Sequence, residues 1–168
     1  MPNEIDEIFG IETKATLPEL ASGTLEAVVE KIKKYKKEYH TGSHSKYLIF
    51  LHMIFVCKYR KHLLTGTMDD DMKQLLQQAA EEMGVGMEIA ESDKNHVHML
   101  LDVPPTMSPS SVAAKLKQLS TYRIWQSREA DLKKHFWKER TFWSDGYFVC
   151  STGDASVETI RKYIEEQG

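Results

Sequence analysis

The chain has 168 residues, of which 41% are hydrophobic and 28% charged, and these values exclude a disordered or fibrous protein. Its net charge of −3 gives no overall basic signature of nucleic-acid binding. The stretch from Lys94 to Trp143 nevertheless carries nine basic residues against four acidic ones, which suits either a solvated helix face or contact with a phosphate backbone.

Residues 1–43 differ from the rest and are predicted to form an N-terminal extension. An apolar stripe at helical spacing runs through Leu25–Tyr39, with lysines on the opposite side. The sequence Thr41-Gly42-Ser43 breaks this amphipathic helix and separates it from the main domain, residues 44–168. The helix suits docking on a partner, on DNA or on its own domain, and the sequence leaves these three alternatives open.

The main domain shows strand and helix patterns in the order β-α-β-β-α-β, followed by one more helix. This order predicts the ferredoxin-like (RRM-like) fold of the α+β class, an antiparallel four-stranded sheet with helices on one face and an additional C-terminal helix. Because this fold hosts many functions, it does not assign one. The predicted strands are Tyr47–Lys58, Val85–Glu91, His96–Val103 and Phe142–Cys150, and the predicted helices are Met68–Met83, a long helix that starts at Ser108-Pro109, and Val157–Gln167 with Ser156 as its N-cap.

Cys57 and Cys150 lie in apolar, strand-like runs without the spacing of metal ligands. We therefore expect both to be buried thiols in a reducing compartment. The most apolar run, Tyr47–Cys57, is too short to span a bilayer, and no secretory signal precedes the fold. The sequence thus predicts a cytoplasmic protein without a membrane partner.

The predicted strand His96–Val103 contains two histidines with the same orientation. Side chains alternate along a strand, so its apolar residues point to the helix-covered core, whereas His96 and His98 point together to the other face. Two imidazoles at this spacing can bind one metal ion. A hydrogen-bonded pair of strand histidines is the alternative, because two ligands rarely hold a metal without a third.

The last predicted helix offers partners for this pair. Tyr163 and Gln167 lie four residues apart, so a helix brings the phenol and the amide to one side, one turn apart. Gln167 is therefore a candidate third metal ligand, and Tyr163 a candidate nucleophile toward a phosphate. Taken alone, a half-buried packing tyrosine and a solvated glutamine are the simpler alternatives.

Four stretches of the chain resemble, in order, the single-tyrosine HUH transposases of small bacterial insertion sequences, the TnpA-like enzymes of the insertion-sequence 200/605 type. One such stretch alone is weak evidence, whereas the four together cover nearly all of residues 44–168. They are His44–Tyr47 with His52–Lys61, the His-hydrophobic-His run Asp93–Leu100 followed by Pro104-Pro105, Phe142–Val149 with Thr152-Gly153, and Ile160–Gln167.

This resemblance implies a reaction and its metal site. His96, His98 and Gln167 would bind magnesium or manganese. Tyr163 would attack the scissile phosphate and leave a 5′-phosphotyrosine and a free 3′-hydroxyl. Imidazole ligands by themselves suit zinc or another transition metal better than magnesium, so the choice of metal follows from the resemblance alone.

The resemblance also implies partners. The substrate would be single-stranded DNA with hairpins at the ends of the element, handled at a bacterial or archaeal nucleoid. Two subunits would form a homodimer in which each tyrosine helix serves the partner's histidines. Two departures bear on full activity: residues 1–43 have no counterpart in the family, and the chain ends at Gly168, where family members carry a further tail.

Six basic side chains are predicted DNA contacts, because they follow the first strand or lie on the long helix. Tyr59, Trp137 and Trp143 are either stacking platforms for unpaired bases or core residues. His52 is expected to make a structural hydrogen bond. The six basic residues are Lys58, Arg60, Lys61, Lys115, Lys117 and Arg123.

Two other classes of function are alternatives. A related HUH endonuclease, such as a replication initiator, a relaxase or a domesticated relative that binds palindromes, shares the same motifs. A non-catalytic module like an RNA-recognition domain requires exposed aromatic residues on its central strands, where this chain carries His96 and His98. The single candidate tyrosine and the strand exit Lys58-Tyr59-Arg60 favour the transposase.

Overall fold

The computed structural model describes residues 24–151 and 156–167. Two residues that carry part of the resemblance, Thr152 and Gly153, therefore lie outside the described residues. The helices are α1 (Leu25–Lys34), α2 (Gly66–Met83), α3 (Pro109–Leu132) and α4 (Val157–Glu166), with a short 3-10 turn at Lys58–Arg60. The strands are β1 (His40–Thr41), β2 (Lys46–Tyr47), β3 (Phe50–Val56), β4 (Gly86–Asp93), β5 (His96–Asp102) and β6 (Phe148–Ser151).

Four of the strands form an antiparallel sheet with the order β4-β5-β3-β6, while β1 and β2 pair in a separate hairpin. This is the ferredoxin-like arrangement, so the predicted fold class is confirmed. The register places His98, Ile54 and Phe148 in one row across β5, β3 and β6. Because directly paired residues share a face of the sheet, these three side chains point the same way.

The strand boundaries differ from the prediction around the last strand. The prediction was wrong for the first part of Phe142–Cys150, since regular pairing begins only at Phe148. Trp143 makes an isolated bridge with Cys57, and the segment Ser144-Asp145-Gly146 then leaves the sheet as a loop. This loop lies beside α4 and becomes part of the candidate site.

α2 and α3 cover one face of the sheet and form the main core. Met53 and Phe55 of β3 point into this core together with Val97 and Met99 of β5. Fully burying each of these side chains contributes about 1.5–3 kcal/mol. α3 begins where the sequence predicts, because the Ser108 hydroxyl accepts a hydrogen bond from the Ser111 amide.

α1 and α4 lie on the opposite face, which we call the second face. Ile54 and Val56 of β3 pack there with Ile160 of α4 and Val29 of α1. The sequence interpretation placed the helices on one face only, but β3 is apolar on both faces and needs cover on both. The N-terminal helix thus packs on its own sheet, and it ends at Lys34. Within the described ranges, none of the helices combines the length and the apolar character that crossing a bilayer requires.

Candidate active site on the second face of the sheet

The two histidines of β5 lie on the second face, as strand alternation predicts. Their ring centroids are 5.0 Å apart and both side chains are buried. His96 Nδ1 donates to Asn95 Oδ1 over 2.7 Å, and His98 Nδ1 lies 3.1 Å from His52 Nε2. Contacts through Nδ1 fix the orientation of both rings and direct each Nε2 away from them. The structural hydrogen bond predicted for His52 is confirmed.

Burial keeps these imidazoles uncharged. It lowers the pKa of His52 to about 4 and lowers the pKa of His96. Burial lowers the pKa of His98 well below its ordinary value, and the neighbouring rings of His52 and His96 lower it further. All three rings are therefore neutral near pH 7, which is the form of imidazole that binds metal ions.

The donor atoms present fit a metal site with an additional oxygen ligand. His98 Nε2 is buried and has no hydrogen-bond partner among the described residues, and such an orphaned atom is costly unless something binds it. In the described part of the chain, no third His, Cys, Asp or Glu joins the pair to complete a metal-binding group. A metal ion held by this pair would take its third protein ligand from another kind of donor, such as the amide oxygen of Gln167.

Tyr163 and Gln167 meet beside Gly146. Placing a Cβ atom on Gly146 would put it 3.4 Å from Tyr163 Oη and 3.7 Å from Gln167 Oε1. The Ser144 hydroxyl donates to Gln167 Oε1 over 3.4 Å, and the Tyr163 ring packs on Phe148 with centroids 5.6 Å apart. α4 ends one residue before Gln167, so the predicted helix is slightly too long, yet the structure brings the phenol and the amide together.

The Tyr163 phenol is itself an unsatisfied group. Its oxygen is buried without a hydrogen-bond partner in the described residues, and burial raises its pKa to about 12. A tyrosine that serves only for packing is expected to direct its hydroxyl to water or to a partner. The unpaired oxygen therefore favours a ligand or substrate at this position.

The histidines and the tyrosine helix lie on the same face of the sheet within a single chain. Ile54 separates His98 from Phe148 in the cross-strand row, and Tyr163 packs on Phe148. His96 lines a cavity of about 440 Å³ together with Arg161 and other residues of α4 and with the start of α1. Both predicted halves of the site thus lie on the second face of the same sheet.

Lys117 supports the loop beneath Tyr163, a role that the sequence does not indicate. Its Nζ donates to the carbonyl oxygens of Ser144, Asp145 and Gly146 over 2.7, 3.0 and 2.6 Å. Burial lowers the pKa of Lys117 to about 8. Contact of Lys117 with DNA stays a prediction, and it has less support than a role in the loop because the ammonium already donates to three backbone carbonyls.

The other predicted DNA contacts are more exposed. Lys58 pairs with Asp145 over 3.1 Å, and Arg60 donates to the Glu165 carbonyl at the end of α4 over 2.5 Å. Arg123 is paired with Glu82, which reduces its availability to a phosphate. Lys115 is exposed on α3, and Lys61 Nζ lies 5.9 Å from the centre of the Phe136 ring.

The three aromatic candidates separate into two groups. Trp143 is buried and donates from Nε1 to Ser120 Oγ over 3.0 Å, so it is a core residue. Tyr59 and Trp137 are exposed and line one cavity.

Comparisons with known proteins agree with this geometry. The sequence model of the family described as "Transposase IS200 like" matches residues 45–167. The transposase for insertion sequence element IS200 of Salmonella typhimurium is 34% identical over 128 residues, 76% of this chain and 80% of the relative. The ISDra2 transposase TnpA of Deinococcus radiodurans is 29% identical over 121 residues, 72% of this chain and 85% of the relative. A 1.90 Å crystal structure of a provisionally assigned transposase from Deinococcus radiodurans has a TM-score of 0.69 at 25% identity, covering 75% of this chain and 95% of that chain.

Proposed function

The chain belongs to the family of IS200-like transposases and is a DNA transposase, and from this premise we propose how it acts. It cleaves and rejoins single-stranded DNA at the ends of an insertion sequence. Tyr163 is the nucleophile, and His96, His98 and Gln167 hold a divalent ion, magnesium or manganese. The observation that carries the proposal is that Tyr163 Oη and Gln167 Oε1 both border Gly146, with α4 packed on the face that bears both histidines.

The cleavage step is a transesterification. Tyr163 Oη forms a bond to phosphorus, the bond from phosphorus to the 3′ oxygen breaks, the phenol loses its proton and the 3′ oxygen gains one from solvent. The products are a 5′-phosphotyrosine and a free 3′-hydroxyl, and the reverse reaction joins strands. When bound, a divalent ion supplies Lewis acidity at the scissile phosphate. The raised pKa of Tyr163 means that the phenol is protonated near pH 7 and has to lose its proton during the cleavage step.

The chain's own residues contribute orientation. His52 and Asn95 fix the two imidazoles through Nδ1. Lys117 fixes the loop Ser144-Asp145-Gly146 against which the phenol and the amide lie. Holding reacting groups in place in this way lowers the entropic part of the barrier.

One assay tests the assignment of the nucleophile. The full chain is incubated with Mn²⁺ and labelled single-stranded DNA that carries the terminal hairpin of its own element, and covalent adducts are separated by denaturing electrophoresis. We expect an adduct with the wild type and with Tyr122→Phe, an exposed tyrosine on α3, but none with Tyr163→Phe. An undiminished adduct with Tyr163→Phe, or none with the wild type, contradicts the proposal.

A second variant separates metal binding from DNA binding. His96→Ala is expected to abolish the adduct while hairpin binding remains, because phosphate contacts supply most of the affinity. Loss of both adduct formation and hairpin binding would instead indicate a structural role for His96.

We further propose that a homodimer of this protein holds two complete sites, each formed by one chain. The resemblance implies that subunits exchange tyrosine helices, whereas α4 packs here on the sheet of its own chain. Mixing Tyr163→Phe with His98→Ala chains is therefore expected to restore no adduct. Restored adduct formation supports exchange between subunits.

The alternative functions have less support. An RNA-recognition-like module needs an open sheet with aromatic side chains, but α1 and α4 cover the second face. A replication initiator or relaxase shares the chemistry of Tyr163 and differs in its DNA. Cleavage only at the ends of an insertion sequence distinguishes the transposase from these enzymes.

A further inference from the structure

Two large exposed aromatic side chains, outside the residues assigned above, line one cavity. Tyr59 is 55% exposed and Trp137 79% exposed. Together with Phe136, His135, Lys138 and Glu139 they line a cavity of about 220 Å³. Side chains of this size are normally buried, so two of them at one open cavity suggest a binding site.

The backbone holds Tyr59 in this exposed position. Tyr59 and Arg60 both have positive φ angles, 58° and 52°, in the left-handed region that side chains other than glycine rarely adopt. None of the residues in the turn Lys58–Arg60 is buried, so packing of its side chains does not offset the strain. Strained backbone that gains no burial is characteristic of functional positions.

Cationic side chains accompany each ring of this cavity. Lys58 Nζ lies 5.6 Å from the centre of the Tyr59 ring, Lys138 Nζ 4.9 Å from that of Trp137, and Lys61 Nζ 5.9 Å from that of Phe136. Glu139 is the one acidic residue in the described lining. Exposed aromatic rings beside ammonium groups are what a single strand of nucleic acid requires, since bases stack and phosphates pair with the cations.

The same turn is bonded to both sides of the candidate active site. Lys58 pairs with Asp145, which precedes Gly146 in the loop beside Tyr163. Arg60 donates to the carbonyl of Glu165, close to the end of α4. A strand whose base lies against Tyr59 is thereby next to the elements that position the nucleophile.

We propose that Tyr59 and Trp137 form a stacking site for an unpaired nucleobase of single-stranded DNA beside the cleavage site. This assignment rests on the proposed function for its substrate, and its chemistry is base stacking without recognition of a particular base. A base held here sets the position of the strand relative to Tyr163. Lys61 and Lys138 contact the flanking phosphates.

The test compares two oligomers of equal length, single-stranded oligothymidylate and a strand of abasic deoxyribose phosphates. Their affinities for the full chain are measured by fluorescence anisotropy at constant salt, without cleavage. We expect Trp137→Ala and Tyr59→Ala each to weaken oligothymidylate binding about 5- to 150-fold and to leave binding of the abasic strand unchanged. Trp137→Phe keeps an aromatic ring and is therefore expected to retain most of the wild-type affinity for oligothymidylate.

Tyr122→Ala is the matched control, because Tyr122 is also an exposed aromatic residue, at 63%, and does not line this cavity. Equal losses for both oligomers, no loss with Trp137→Ala, or the same loss with Tyr122→Ala would overturn the stacking site. This binding test is independent of the proposed reaction. If the wild type forms no adduct but Trp137→Ala selectively weakens oligothymidylate binding, the assignment of Tyr163 is refuted and the stacking site is supported.

Discussion

Replacing His52 with leucine tests whether the histidine pair is a metal site. His52→Leu places a side chain of similar size at this buried position but removes the 3.1 Å contact that orients His98. Loss of such an outer hydrogen bond typically weakens metal binding 10- to 100-fold, or about 1.4–2.8 kcal/mol. Isothermal titration with Mn²⁺ at neutral pH measures the effect. His62→Leu, which changes an exposed histidine, is the control and is expected to bind as the wild type does.

The same variant has an expected effect on stability toward acid. The pKa of His52 is about 4 in the folded chain against an ordinary value of 6.5, so the unfolded chain binds more protons between these values. Protonation of His52 is therefore expected to lower the free energy of unfolding as the pH falls from 6.5 to 4, by about 3 kcal/mol over this range. Urea denaturation at a series of pH values should show a smaller loss for His52→Leu. Unchanged metal affinity together with an unchanged acid profile would refute the role given to His52.

Three further changes test the surroundings of Tyr163. Gly146→Ala should keep the thermal midpoint but slow adduct formation at least about tenfold, because its methyl group enters the space beside the phenol oxygen; an unchanged rate would place the phosphate elsewhere. Between about pH 8 and 10.5 the unfolded chain binds more protons at Lys117 than the folded chain, so the free energy of unfolding of the wild type should rise with pH. Lys117→Met should remove this rise, and denaturation curves across that pH range measure it. Val29→Ala should lower the free energy of unfolding by about 2 kcal/mol, for two methyl groups and a cavity, whereas Lys33→Ala on the exposed side of α1 should not.

Local rules were sufficient for part of the site. Strand alternation predicts that His96 and His98 share a face, and helical spacing predicts that Tyr163 and Gln167 approach each other; both depend only on residues near in sequence. The role of Lys117 was not predictable, because its three acceptors belong to a loop far along the chain. The sequence identifies Tyr59, Trp137 and Trp143 as candidates for stacking, but it does not distinguish the buried Trp143 from the exposed Trp137.

The position of the tyrosine helix depends on a segment outside the family match. α4 has ten residues, too few to be stable by itself, and buries only Ile160 and Ile164, so packing decides where it lies. α1 contributes Val29 to that packing and adds an ion pair between Glu26 and Arg161 at 2.8 Å. The exposed ion pair is worth at most about 1 kcal/mol, so the apolar contact dominates. Because the match to the family model begins at residue 45, the position of the tyrosine helix depends here on α1 residues that lie outside the matched part of the chain.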